Sequence, residues 1–223
     1  MRGGISVHLT IISGAARARE MSNTAKIIAA FCKGFQNDRN TVEIWYLSDR
    51  NQWDGARDAF QRNKNILFAL PLYVENVPGI MLEFLESLPP PIERDTQLSF
   101  LVQGGFPETS QSRCCEKFLK TLPGKMGCSY GGTFIRGDMF GIGFLGEGLR
   151  AKIISPFIEV GRSFAQSGRF DENTILKFSN PEYLSKKQIM QYEKVGKHIQ
   201  KWFVSQIAKR LGCKGELDAQ PYI

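Results

Sequence analysis

Two kinds of apolar spacing alternate along the chain. Short runs rich in apolar and β-branched residues fall at 5–12, 41–47, 66–70, 98–102 and 132–136. Runs of that length and composition predict strands with little solvent exposure. Between them the spacing turns helical. After Thr24, the side chains of Ile27, Ile28, Phe31 and Phe35 share one face. Within 54–64 the inward set is Ala56, Ala59 and Phe60. Within 79–88 it is Ile80, Met81, Phe84, Leu85 and Leu88, and Pro89-Pro90-Pro91 stops that helix. A further helix from about Thr109 turns Cys115, Phe118, Leu119 and Leu122 inward and ends before Pro123-Gly124. Two longer helices, roughly 147–167 and 186–210, complete the pattern. The last opens on a capping box, Ser185 to Gln188, and its apolar face is Val195, Ile199, Trp202, Phe203, Ile207 and Leu211.

Five strands separated by helical segments predict an α/β fold, a parallel sheet with helices on both faces. Right-handed crossovers make that sheet doubly wound. Ligands of such sheets bind outside the carboxyl ends of the strands, near the point where the strand order reverses. Three loops leave those ends with unusual chemistry: 13–24, 71–78 and 103–107.

The first loop runs from an apolar strand through small residues and two arginines, Arg17 and Arg19, into Ser22-Asn23-Thr24 at a helix start. Free N–H groups of a first helical turn and the helix dipole favour an anion, and hydroxyls and guanidinium groups suit a phosphate. The same three polar residues would also serve as a plain helix cap. The loop is not a Walker loop, since no Gly-x-x-x-x-Gly-Lys-Ser/Thr is present, nor a Gly-x-Gly-x-x-Gly dinucleotide loop, since Gly14 is its only glycine. The second loop, Pro71 to Pro78, offers a stiff backbone and an aromatic, Tyr73. The third, Gln103-Gly-Gly-Phe-Pro107, has glycines that let backbone N–H groups approach a flat ring. Together they suit a mononucleotide carrying a planar heterocycle.

With 223 residues, 42% of them hydrophobic and 11% aromatic, the chain can bury a sizeable core as a single domain over 1–223. No apolar run approaches the ~20 residues of a membrane span, and the first residues lack a signal-peptide core. A soluble cytoplasmic protein is the expectation. Five cysteines at irregular spacing, with no Cys-x-x-Cys, predict reduced thiols and argue against a metal centre. The net charge of +7 is carried entirely by 186–214, where eight Lys/Arg face one Glu. A basic segment can meet nucleic acid, but a lysine-rich helix face is more often simply solvated. The aromatics of this one lie on its apolar side, so nucleic acid is not the expected partner.

In the order and spacing of these motifs the chain resembles the flavodoxin-like NAD(P)H-dependent FMN reductase family over nearly its whole length. The matching stretches are Ile12-Ser-Gly-Ala-Ala-Arg17 with Ser22-Asn-Thr24, then Ala69-Leu-Pro-Leu-Tyr73 followed by Pro78, then Val102-Gln-Gly-Gly-Phe106, and Gly161 to Phe170. The resemblance implies strand order 2-1-3-4-5, bound FMN, and NADPH or NADH as co-substrate. It also implies a small-molecule electron acceptor, such as a quinone, a nitro or azo compound or free flavin, and a homodimer. It places Ser13, Arg17, Ser22, Asn23 and Thr24 at the FMN phosphate, with Arg19 as a further cation. Pro71, Leu72, Tyr73 and Val74 would edge the isoalloxazine, and Gly104, Gly105 and Phe106 would close its pyrimidine side. The family loop usually reads Gly-Ser-Pro-Arg. Here it is Gly14-Ala-Ala-Arg17, so Ala15 removes a hydroxyl near the phosphate. An FMN-binding electron-transfer module, reduced by a partner protein, is the alternative.

Overall fold

The computed structural model describes residues 6–36, 39–92 and 95–215. Five parallel strands, β1 (His8–Ser13), β2 (Thr41–Tyr46), β3 (Asn65–Pro71), β4 (Gln97–Gln103) and β5 (Ser129–Arg136), form one sheet in the order β2-β1-β3-β4-β5. This is the flavodoxin-like α/β order. Ile5, the first residue of the predicted first strand, lies outside the described residues.

The period-2 alternation of the strands divides the core into two layers. Leu9 and Ile11 of β1 and Leu67 and Ala69 of β3 face helices α1 (Asn23–Phe35) and α5 (Glu147–Ser167), packing on Ile27, Phe31, Phe35, Phe157, Val160 and Phe164. Ile12, Ile66, Phe68 and Phe100 face the other way. They meet Trp53, Ala56 and Phe60 of α2 (Trp53–Arg62), Met81 and Phe84 of α3 (Gly79–Glu86), and Cys115 and Leu119 of α4 (Arg113–Lys125). Because the registers run Ser13 to Ala69 and Pro71 to Gln103, β1, β3 and β4 end side by side.

Four features depart from the sequence pattern. The predicted helix from Thr109 begins as a 3₁₀ turn, Thr109–Ser112, and α4 then runs through Pro123 to Lys125. A proline in the final turn removes only one hydrogen bond, and the Pro123 carbonyl still accepts from the Cys128 N–H at 2.8 Å. Phe118, expected inward, is exposed at the edge of the α4 face. β5 begins three residues before the predicted strand, because a register irregularity at Leu98/Phe100 and Gly132 at φ 99° let the chain bend around Phe170. A seventh helix among the described residues, α6 (Glu172–Phe178), had no periodic signal: seven residues are too few to establish one.

The chain up to Glu182 forms one compact unit and Tyr183 begins another. The second holds α7 (Lys186–Arg210), with the capping box in place: Ser185 Oγ accepts the Gln188 N–H at 3.3 Å, and Gln188 Oε1 accepts the Ser185 N–H at 2.9 Å. Of its predicted apolar face, Phe203 and Ile207 are half-buried and Trp202 and Leu211 are exposed. The side chains of Val195 and Ile199 lie outside the described residues.

Helices α1 and α5 touch backbone to backbone. A Cβ on Gly161 would lie 2.1 Å from the Phe31 carbonyl oxygen, and one on Gly34 would lie 1.8 Å from that of Ile158. Helix propensity alone favours alanine over glycine by about 1 kcal/mol. Overpacking costs about 1–3 kcal/mol and acts against it. The expected outcome for Gly161→Ala is therefore a net loss of stability in a thermal melt, whereas a gain would mean the helices can separate freely.

Asp171 caps α6. Its Oδ1 accepts the Thr174 N–H at 2.9 Å, and its Oδ2 accepts the hydroxyls of Thr174 at 2.6 Å and of Ser163, on α5, at 2.7 Å. Those Thr174 bonds, followed by Ser163, hold its carboxyl at about 2, below the ordinary 3.8. A lowered carboxylate stabilises the fold above its unfolded value. The contribution is present above about pH 4 and is lost as pH falls toward 2. Asp171→Ala should cost about 1 kcal/mol at neutral pH. The gap between variant and parent, followed by denaturant titration, should close between pH 4 and 2.

Candidate functional site

The carboxyl ends of β1, β3 and β4 open into one cleft of about 420 Å³. The first loop supplies Ala15, Arg17, Ser22, Asn23 and Thr24. The second supplies Pro71, Leu72, Tyr73, Val74 and Glu75, and the third Gln103, Gly104, Gly105 and Phe106. Eleven of the thirteen residues singled out in the sequence therefore share one wall or another of this cleft. The other two sit beside it. Ser13 is buried at the end of β1, on the α1 side of the sheet, and its hydroxyl has no hydrogen-bond partner. Arg19 turns from the cleft and lays its guanidinium over the Tyr46 ring, 5.1 Å from the centroid.

One end of the cleft is formed by the start of α1. Ser22 is the N-cap of α1: its Oγ accepts the Ala25 N–H at 3.2 Å. The amides of Asn23 and Thr24 precede the first intrahelical bond and lie at the positive end of the helix dipole. Thr24 is buried, with its hydroxyl 3.5 Å from Gln103 Nε2. Positive charge gathers behind the loop. Burial lowers the Lys26 ammonium below its ordinary value, and Arg150 and Arg17 lower it further. Lys26 donates to the carbonyl oxygens of Glu20 at 3.3 Å and Ser22 at 3.2 Å, which pins the loop against α1.

The other end is shaped by backbone and aromatic groups. Tyr73 and Asn76 exchange two backbone hydrogen bonds of 3.0 Å and close a two-residue turn whose centre, Val74 and Glu75, has φ 47° and 62°. A β-branched residue in the left-handed region is strained, and Val74 is almost fully exposed there. Opposite stand Gly104 and Gly105. Neither has a positive φ. A Cβ would come no closer than 3.9 Å to Ser112 at the first and 3.4 Å to Phe140 at the second, both ordinary contacts. The fold tolerates side chains at both positions, and their absence keeps that end of the cleft open.

Sequence reasoning missed Phe140, together with Glu75, Glu108, Gln111 and Ser112, which complete the lining. Past β5, Asp138 N–H donates to the Phe106 carbonyl at 3.1 Å and Met139 N–H to that of Gly104 at 2.9 Å, so segment 137–144 runs alongside the third loop. Phe140–Phe144 then forms a 3₁₀ turn. Asn23 Nδ2 reaches it, donating to the carbonyl oxygens of Met139 at 2.9 Å and Phe140 at 3.0 Å. A Phe-Gly-Ile-Gly-Phe run has no strand or helix period, so no signal in the sequence marked it.

This architecture is shared with known proteins. An NAD(P)H:quinone oxidoreductase from Methanothermobacter marburgensis matches at a TM-score of 0.56 and 14% identity, over 72% of this chain and 96% of its own. An FMN-dependent NADH-azoreductase from Bacillus anthracis, solved with FMN, matches at 0.53 and 12%, over 72% and 100%. An NADH:FMN oxidoreductase solved without cofactor matches at 0.53 and 16%, over 82% and 98%. No protein-family model and no curated protein matches the sequence. At these identities the likeness establishes the flavodoxin-like fold.

Proposed function

We propose that this chain is an FMN-dependent oxidoreductase that takes a hydride from NADPH or NADH and delivers the electrons to a small acceptor, a quinone, a nitro or azo compound, or free flavin. The observation that carries this reading is the polarity of this cleft. A helix N-terminus with Arg17 beside it lies at one end, and two side-chain-free positions between aromatic walls lie at the other. A phosphate monoester joined to a flat ring is the ligand class with those two ends. The structural neighbours named as FMN-dependent or flavin-reducing enzymes support it.

The residues present suit that cofactor. The Asn23 and Thr24 amides and the Arg17 guanidinium would hold the phosphate, and the buried, unpartnered Ser13 hydroxyl at the same strand end is a donor in reserve. The backbone from Pro71 to Val74 and from Gly104 to Phe106 would bracket the ring and keep water from one face. Bound there, FMN would supply the hydride and two-electron chemistry. The chain's contribution is to orient the ring and leave its other face open to substrates in turn. Met21, Tyr73, Val74, Phe106 and Phe140 are exposed apolar side chains on these loops and the segment beside them. Such a rim suits the association of two copies, and a homodimer is part of the proposal.

Purified protein reconstituted with FMN is expected to be yellow and to bleach with NADPH or NADH. Failure to take up FMN at micromolar concentration overturns the proposal. Uptake without nicotinamide oxidation in the presence of a quinone would instead identify an electron-transfer module. Arg17→Ala removes one charge-assisted contact, about 1.5–3 kcal/mol, so FMN affinity should fall about ten- to a hundredfold. Riboflavin affinity and the melting temperature should stay as they were, since Arg17 is exposed. An unchanged FMN dissociation constant would reduce the first loop to a helix cap.

A further inference from the structure

Asn23 opens α1, in the run that the sequence offers to an anion, yet its side chain is committed elsewhere. Two carbonyl oxygens, of Met139 at 2.9 Å and Phe140 at 3.0 Å, take both donors of its amide. Only the NH₂ end of an asparagine can serve two carbonyls, so the network itself fixes the orientation. The Oδ1 end lies against Gly143, where a Cβ would approach it to 2.7 Å. The bonded partners are 116 and 117 residues away in the chain, so the contact is tertiary rather than a local cap.

The segment it grips forms a wall of the cleft. Ile142 is buried beneath the turn, while Phe140 is 55% exposed and stands beside Gly105 at the ring end. Backbone bonds to Gly104 and Phe106 hold the segment only as far as Met139. The Phe140 carbonyl, which sets where that ring points, is held by Asn23. We infer that Asn23 is a positioning residue: it fixes Phe140 as the aromatic wall of the cleft and so ties the ring end to the first turn of α1. This inference rests on the flavin reading for its ligand, but the clasp exists without one.

The test compares FMN with riboflavin, which lacks the phosphate. Removing the clasp should weaken both equally, by about tenfold for the loss of two hydrogen bonds. Phe140→Ala should do the same, and the double variant Asn23→Ala/Phe140→Ala should be no weaker than either single variant. A loss confined to FMN would make Asn23 a phosphate ligand through its side chain and overturn the inference, as would no loss for either flavin. A second measurement needs no flavin. In the free protein, amide hydrogen exchange across 140–144 should quicken in Asn23→Ala and in Asn23→Asp, which keeps the shape but not the donors, with the thermal melt of the whole domain retained. Unchanged exchange in both variants overturns the clasp. If the parent protein binds neither flavin, the proposed function falls, and the exchange measurement still decides the role of Asn23.

Discussion

The start of α1 is held in place from two sides. Along its body, Gly34 and Gly161 let the backbones of α1 and α5 meet at distances no side chain would permit, with Phe31, Phe35 and Phe164 closing around the contact. At its head, Ser22 closes the first turn and Asn23 grips segment 137–144. The helix therefore cannot slide along the sheet, and its free amides stay aimed over the end of β1. The other parts of the cleft are referred to that point. The second and third loops leave strands whose register to β1 is fixed, Ser13 beside Ala69 and Pro71 beside Gln103, so three chain-distant segments arrive level. A rigid sheet with one immobile helix end is what allows binding residues to reside on loops.

Much of this was legible in the sequence because both layers of the core are written in period. The consecutive apolar residues of β1, β3 and β4 belong to strands buried on both faces, and the 3.6-residue spacing of Ile27, Ile28, Phe31 and Phe35 belongs to a helix with one. The three loops could be found because strand ends can be found. What stayed hidden had no period to show. Phe140 joins the cleft through a single 3₁₀ turn, and α6 spans only seven residues. Phe118 satisfies the helical spacing of α4 but falls at the rim of its buried face, where spacing no longer decides burial. Pro123-Gly124 predicts a stop, yet a proline in a last turn leaves a helix standing. The partners of Asn23 lie more than a hundred residues away, and a single sequence carries no mark of such pairing.

The two ends of the cleft are held with different firmness, and each suits a different task. The end at α1 is built from a capped helix, a buried Thr24 and a lysine bonded to two loop carbonyls. The ring end is a strained two-residue turn at Val74–Glu75 and a 3₁₀ segment clasped by one asparagine. Elements with few buried contacts open at low free energy. Under the proposed function, a firm α1 end would retain the cofactor, and a yielding opposite end would let successive substrates come and go.

The polar atoms at the end of β1 support the same division. A buried hydroxyl without a partner costs about 1–3 kcal/mol. Ser13 carries such a hydroxyl directly before Gly14, while Ala15, 5% exposed and lining the cleft, has none where the resembling family has serine. The end of β1 thus still holds one hydroxyl on the α1 side, so the alanine at position 15 does not by itself argue against a phosphate at this helix end.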